Sequence, residues 1–296
     1  MKQQMTIDNS LKFGKSSSVT LKINRTVAYI VLILISIICI APFYSMLVNA
    51  THSNAEISSG VNFWFGTSLG DNLKWVFTNV NIPTLVALRN SVIVSLLCAV
   101  FTIYFSALTA YSTYIYNFKF KKAITTFIIA IMMIPTQVSS LGLVMLCTKW
   151  NLTDSFIPIV LPAIASPVTY FYMKQYLESV LPLAVIEAAR ADGASEFRIF
   201  HQIALPMIKP ALALQFIFAF VGSWNNFFVP SLLINAGGDH SLLPLIISLL
   251  KNSSPETFNM GGVYCIMTVA ILPLLIVFFI FSRSIIKGLT VGAVKG

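Results

Sequence analysis

The sequence predicts an all-α, polytopic membrane protein with six transmembrane helices and both termini in the cytoplasm. Three observations carry this reading. First, 57% of the 296 residues are hydrophobic and only 10% are charged, with a mean hydropathy of +0.83. Soluble domains carry about 25% charged residues, so these few cannot cover a water-exposed globule of this size. Second, six apolar runs, at about 27–48, 89–115, 123–147, 156–177, 209–234 and 263–286, reach the roughly 20 residues that a bilayer crossing needs. Third, with the N-terminus inside, 15 of the 19 Lys and Arg fall on one side, and cytoplasmic loops are the ones that concentrate positive charge.

Taken in order, residues 1–26 form a cytoplasmic tail with Lys2, Lys12, Lys15, Lys22 and Arg25. Residues 27–48 form the first transmembrane helix. Its apolar run is long for a signal-peptide core and no small-residue cleavage site follows, so the helix is retained. Residues 49–88 form an extracytoplasmic loop. Its stretch "NFWFGTSLGDNLKWVFTN" mixes Trp64 and Trp75 with polar residues, which suits a short interfacial helix at the membrane–water boundary. Residues 89–286 form the core transmembrane domain, including a cytoplasmic loop at 178–208, and 287–296 a cytoplasmic tail. Besides the N-terminal tail, the inner side holds the "KFKK" turn (Lys119, Lys121, Lys122), Lys174, Arg190, Arg198, Lys209, Arg283, Lys287 and Lys295. Lys74, Arg89, Lys149 and Lys251 face outward. A net charge of +9 and a pI near 9.4 could suggest nucleic acid, but the basic residues are scattered between spans, so no nucleic-acid partner is expected and the bilayer is the surrounding medium.

Several chemistries are excluded. "GKSS" at Gly14–Ser17 resembles the end of a phosphate loop, but G-x-x-x-x-G-K-[ST] needs a glycine at position 9, where Asn9 stands. Cys39, Cys98, Cys147 and Cys265 form no C-x-x-C pair, and His52, His201 and His240 are isolated. No catalytic, metal or cofactor-binding residue is expected. No acidic or basic residue lies deep in a span, which disfavours a proton-coupled carrier, since such carriers bear the cost of intramembrane charge for their relays. A sodium-coupled carrier using backbone carbonyls stays open.

The 178–208 loop is an island of charge, alanine and glycine in an apolar chain. "LPLAVIEAARA" starts at Pro182 and reads as a short helix. Gly193 ends it in the left-handed conformation, and Ser195 caps a second helix, "SEFRIFHQIA". Ala188, Ala189 and Ala191 give a small-sided surface, while Phe197, Phe200 and Ile203 are spaced to share roughly one helical face. By pattern alone, a connector packed on its own bundle and a docking knob for a soluble partner are equally open.

In the membrane, "WNN" (Trp224, Asn225, Asn226) lies about 20 Å beyond Lys209 at 1.5 Å per residue. Amides and an indole at that depth need partners. Lining a solute path and bonding between helices are both open. Consecutive residues point about 100° apart, so at most two can face one cavity; Trp224 and Asn225 are assigned to the path and Asn226 to packing. Gln137, beside Pro135, and Tyr170 are further path candidates.

The island "EAARADGAS" followed by "IALPMIKP" resembles the E-A-A—G loop of binding-protein-dependent ABC importer permeases, matching at Glu187, Ala188, Ala189, Asp192, Gly193, Ala194, Leu205 and Pro206. "RNSVIVSL" (89–96), "SALTAYSTY" (106–114), "MMIPTQV" (132–138), "FVGSWNNFFVPSLL" (220–233) and "GLTVGAVKG" (288–296) are similar to the maltose-type sugar permease class within that family. The likeness covers about 85–296 well and 1–84 in outline; "YIYNFKFKKA" departs from the family's more Ala/Arg-rich exit. It implies a type I ABC importer permease fold in a bacterial cell membrane. It also implies a second homologous permease subunit, a cytoplasmic ATPase dimer that binds ATP and Mg, and an extracytoplasmic solute-binding protein. The island, with Phe197 and Phe200, would contact the ATPase, and so would Gly292, Lys295 and Gly296 of the C-terminal tail. The implied function is translocation of a sugar or oligosaccharide by alternating access. Alternatives are a permease for another solute such as a phosphorylated polyol, and an ion-coupled secondary carrier.

Overall fold

The computed structural model describes the backbone of residues 2–78, 82–252 and 258–293, and side chains within 21–78, 82–252 and 258–282. Every regular element among the described residues is helical. Helix α1 (Lys2–Asn49) continues from the tail into the membrane without a break; within Leu21–Asn49 the most apolar stretch has a mean hydropathy of 2.6 and buries nothing within the protein, and only near the helix end is Val48 fully buried. A helix apolar all round and unburied by protein is solvated by lipid. Two short helices follow, α2 (Asn54–Ser58) and α3 (Leu69–Thr78). In α2, Ser53 and Glu56 form a reciprocal capping box. The Ser53 backbone N–H donates to Glu56, and this bond chiefly holds the Glu56 carboxyl below its usual value.

Helix α4 (Thr84–Ile115) is the central column. The apolar run expected as one crossing at 123–147 is instead two helices, α5 (Lys121–Ile131) and α6 (Thr136–Lys149), at 98° to one another. Pro135 explains the break: it offers no N–H and pushes Ile134 out of the helical region. The run at 156–177 is likewise not one helix. It consists of α7 (Ile157–Val160), a 3-10 turn (Pro162–Ile164) and α8 (Pro167–Val180), interrupted by Pro162 and Pro167. In the island, α9 (Leu183–Ala191) and α10 (Glu196–Ile199) form as the sequence suggests. The second helix then widens into a π-turn (Phe200–Ala204) and resumes as α11 (Leu205–Met207). Helix α12 (Lys209–Trp224) stops at Asn225, so 209–234 is also interrupted, and α13 (Phe228–Leu233) lies beyond it. Helices α14 (Leu243–Lys251) and α15 (Met260–Ala293) complete the chain. Among the described residues three helices are long and apolar enough to cross a membrane singly, and up to five crossings result if each of the bent pairs Lys121–Ile131/Thr136–Lys149 and Glu196–Met207/Lys209–Trp224 counts as one.

The broken segment 157–181 is stapled to α4 in matching order. Cys98 Sγ reaches the Ile159 carbonyl at 3.7 Å, Thr102 Oγ1 donates to Ala163 O at 2.8 Å, Ser106 to Ser166 O at 3.4 Å and Tyr114 OH to Leu181 O at 2.9 Å. The two therefore run parallel. The Thr102 bond has a local cause: Pro167 has no N–H for the carbonyl four residues back, Ala163, and in an apolar medium that oxygen must find another donor. Below these staples, α4, α8, α9 and the π-turn share an inner core around Tyr111, Met173, Leu177, Ile186, Ile199 and Phe200. An outer core around Val76, Ala99, Phe220, Trp224, Ile246 and Ile266 joins α3, α4, α12, α14 and α15.

Candidate functional site

The island is one rigid corner. Gly193 has φ +79°, and its N–H donates to Arg190 O while Ala194 N–H donates to Ala189 O, closing the turn after α9. Ser195 caps α10 through Arg198 N–H. Both features match the sequence reading. The corner's two faces then separate. Ile186, Ala189, Ile199, Phe200 and Ala204 point into the inner core. Glu187, Ala188, Asp192, Gly193, Phe197 and Pro206 are exposed, and Ala194 and Leu205 are half-buried. The expectation that Phe197 and Phe200 act on one face is therefore corrected. Phe200 is 2% exposed and packs against Tyr111, whereas Phe197 is 72% exposed, because the helix meets the bundle along the line between them.

A polar clasp that the sequence did not suggest holds the corner closed. Arg190 Nε donates to Glu196 Oε1 at 2.6 Å, and Tyr116 OH, just past α4, donates to Glu196 Oε2 at 2.5 Å. The Arg190 guanidinium also lies 5.6 Å from the centre of the Tyr116 ring. The bond from Arg190, and then the one from Tyr116, hold the Glu196 carboxyl below its usual value. The only signal available was that Tyr116 falls in the stretch departing from the family pattern. At the C-terminus, Gly292 lies in α15, while Lys295 and Gly296 lie outside the described residues.

The second candidate region is an open cleft of about 720 Å³ between α4, the 159–172 segment and α12. On α12 and its end it is lined by Gln215, Phe218, Ala219, Gly222, Ser223 and Asn226, spaced i, i+3, i+4, i+7, i+8 and i+11 along one helix face. Among the described residues, no Lys, Arg, His, Asp or Glu lines it. The path residues expected from sequence are thus redistributed. Asn226, assigned to packing, is on this cleft. Trp224 is buried, stacked on Phe220 at 5.8 Å, and together with Asn225 borders a separate cleft of about 350 Å³ beside Lys251. Helical spacing accounts for this: at about 100° per residue Asn226 returns to within about 20° of Gln215, whereas Trp224 falls on the opposite side of α12. Tyr170 points into the inner core, its OH 3.0 Å from Thr113 Oγ1, and Gln137 is exposed on α6 away from the cleft. Gln215 went unremarked, although it is the lone amide in the apolar run "ALALQFIFAF".

Comparison with known proteins joins the two regions. The fold is similar to that of a solved chain described as belonging to a bacterial ABC transporter involved in the import of the acidic polysaccharide alginate. The TM-score is 0.75 at 20% identity, covering 88% of this chain and 96% of that one. In sequence, the chain is 33% identical to the arabinooligosaccharides transport system permease protein AraQ of Bacillus subtilis (strain 168), over 89% of this chain and 93% of the relative. It is 31% identical to the lactose transport system permease protein LacG of Rhizobium radiobacter, over 91% and 96%. The family model described as binding-protein-dependent transport system inner membrane component matches residues 102–291, a span that takes in the island, α12 and most of the cleft lining. A multi-pass membrane chain that carries this island and this match belongs to the family of binding-protein-dependent transport system inner membrane components.

Proposed function

We propose that this chain is the membrane-spanning subunit of an ATP-driven importer for a sugar or oligosaccharide, working by alternating access. Relatives named for arabinooligosaccharide and lactose transport support the solute class. In this reading the chain crosses the membrane six times with both termini in the cytoplasm, the fourth crossing being the proline-broken α7–α8 segment. The parallel stapling of that segment to α4 supports this, because a crossing in the opposite sense must intervene, and the bent α5–α6 pair is the segment between them. A second homologous permease faces this one. A cytoplasmic ATPase dimer binds ATP and Mg, an extracytoplasmic binding protein delivers the solute, and this chain hydrolyses nothing itself.

The observation that carries the reading is the two-faced island. Its inner face is fused to α4 and α8 through Phe200 and Ile199, while Glu187, Ala188, Asp192, Gly193 and Phe197 face away from the bundle. A large aromatic side chain left outside amid charge suits contact with a partner. ATPase closure on that face would move the corner as a body and, through the shared core, shift α4 and α8 beside the cleft. Gly292, Lys295 and Gly296 would add a contact to the ATPase. The test is reconstitution with the ATPase, second permease and binding protein in vesicles. Uptake of a neutral sugar that requires ATP is expected. Uptake by this chain alone on an ion gradient, indifferent to ATP, would refute the reading in favour of a secondary carrier.

A further inference from the structure

We infer that Gln215 and Asn226 are two hydrogen-bonding stations of a solute subsite carried by this chain, selective for an uncharged saccharide longer than a single sugar unit. The inference rests on the importer reading above and goes beyond it in placing solute contacts in this subunit and in setting charge and length.

The argument begins with how the cleft's polar groups are used. Thr102 Oγ1 is committed to Ala163 O, and Ser166 Oγ to the Thr169 hydroxyl. The Asn226 carbonyl oxygen accepts from Val229 N–H at 3.4 Å, which leaves its NH₂ group for another acceptor. Gln215 differs from all of these. It is only 6% exposed as a residue and borders the cleft, and no hydrogen bond among the described residues commits its carboxamide, whose polar atoms stay open to the cleft. An amide facing a largely apolar cleft without a partner is costly, and on the same helix face Ser223 Oγ is buried with no hydrogen-bond partner among the described residues. A hydroxyl-bearing solute in the cleft satisfies both the donor and the acceptor atoms of the amide.

Chemistry and spacing then narrow the solute. The lining presents amides, hydroxyls and the aromatic rings of Phe171, Tyr172 and Phe218, with no charged side chain. Amides pair with hydroxyls and aromatic faces with C–H groups, as a saccharide requires, whereas a phosphate calls for Arg or Lys. Gln215 and Asn226 are eleven residues apart, roughly 16 Å at the helical rise of about 1.5 Å per residue. One sugar ring cannot bridge that distance, but a short linear chain can. Gly222, exposed between the two stations, keeps the intervening helix surface flat.

The experiment uses the assembled transporter in proteoliposomes and two neutral series, malto- and arabino-oligosaccharides of two to four units, with glycerol phosphate as the charged probe. Gln215→Met preserves volume and removes the amide; Asn226→Ala removes the second station; Gln215→Asn serves if the Met variant fails to assemble. We expect the half-saturating concentration for the longer transported saccharides to rise roughly threefold to tenfold in each variant, the range for loss of one neutral hydrogen bond. The maximal rate and the complex yield should hold, and the double variant should lose the unmodified complex's preference for longer chains. Unchanged half-saturation, or a fall in rate that is equal at every concentration, overturns the subsite while leaving the importer reading intact. Uptake of glycerol phosphate in preference to every neutral saccharide overturns the charge selectivity. If the unmodified complex takes up none of the probes, the sugar reading itself fails and the subsite with it.

Discussion

Gly193 offers a test of the island in which one physical variable is isolated. Its φ of +79° lies in the region that L-residues avoid, yet a Cβ built there meets nothing within 4 Å. Substitution therefore costs backbone strain and no overlap. For an ordinary residue the left-handed region costs about 1–2 kcal/mol, and Asn tolerates it best among non-glycine residues. An energy of that size changes the ratio of bent to unbent corner by roughly fivefold to thirtyfold. Glu187 and Asp192 are exposed along the corner while Ile199 and Phe200 stay locked in the core, so loss of the bend should uncouple the ATPase without releasing the chain from the membrane. The variants Gly193→Asn, Gly193→Ala and Gly193→Val should lose solute-stimulated ATP hydrolysis in that order, Asn least and β-branched Val most, with membrane-inserted protein unchanged. The order is the signature: if bulk or polarity were limiting, Asn would be worse than Ala. Equal losses for Asn and Ala, or normal stimulated hydrolysis in the Val variant, would refute the reasoning.

Two further outcomes follow from neighbouring contacts. Glu196→Gln should loosen the clasp to Arg190 and Tyr116 and lower the coupling between hydrolysis and uptake. Because the folded carboxyl is held below its ordinary value of 4.5, chiefly by Arg190, the stabilisation it contributes is present above that value and is lost as pH falls through the lower folded value. The protection of amides 183–204 relative to their intrinsic exchange rates should therefore fall in unmodified protein as pH drops below 4.5 and show no such step in the Gln variant. At the outer end, a Cβ on Gly261 would overlap the His52 carbonyl oxygen and the Asn72 carboxamide, and Asn72 is the donor that ties the α1–α2 corner through Ala50 O and His52 O. Gly261→Ala should lower thermal stability by about 1–3 kcal/mol as an overpacking change; a melting temperature equal to that of the unmodified protein would count against that junction.

The sequence alone determined what depends on local chemistry and composition. The scarcity of charge forced a helical membrane protein, because only helices or closed barrels satisfy the backbone in lipid. Gly193 and Ser195 placed the island's bend and cap, since a positive φ and a side-chain cap are properties of single residues. Tertiary structure decided what depends on which surfaces meet. Hydropathy could not see that Pro135, Pro162 and Pro167 break two spans, because an apolar run reads alike whether straight or bent. Nor could helical spacing say that the bundle meets α10 between Phe197 and Phe200. Most consequentially, the Gln215 face of α12, which Asn226 shares and Trp224 does not, is the one that meets the cleft, while Trp224 packs behind it on Phe220. Helical spacing ranks the side chains around α12, but which face meets a cavity depends on what packs behind it, and that is set by contacts distant in the chain.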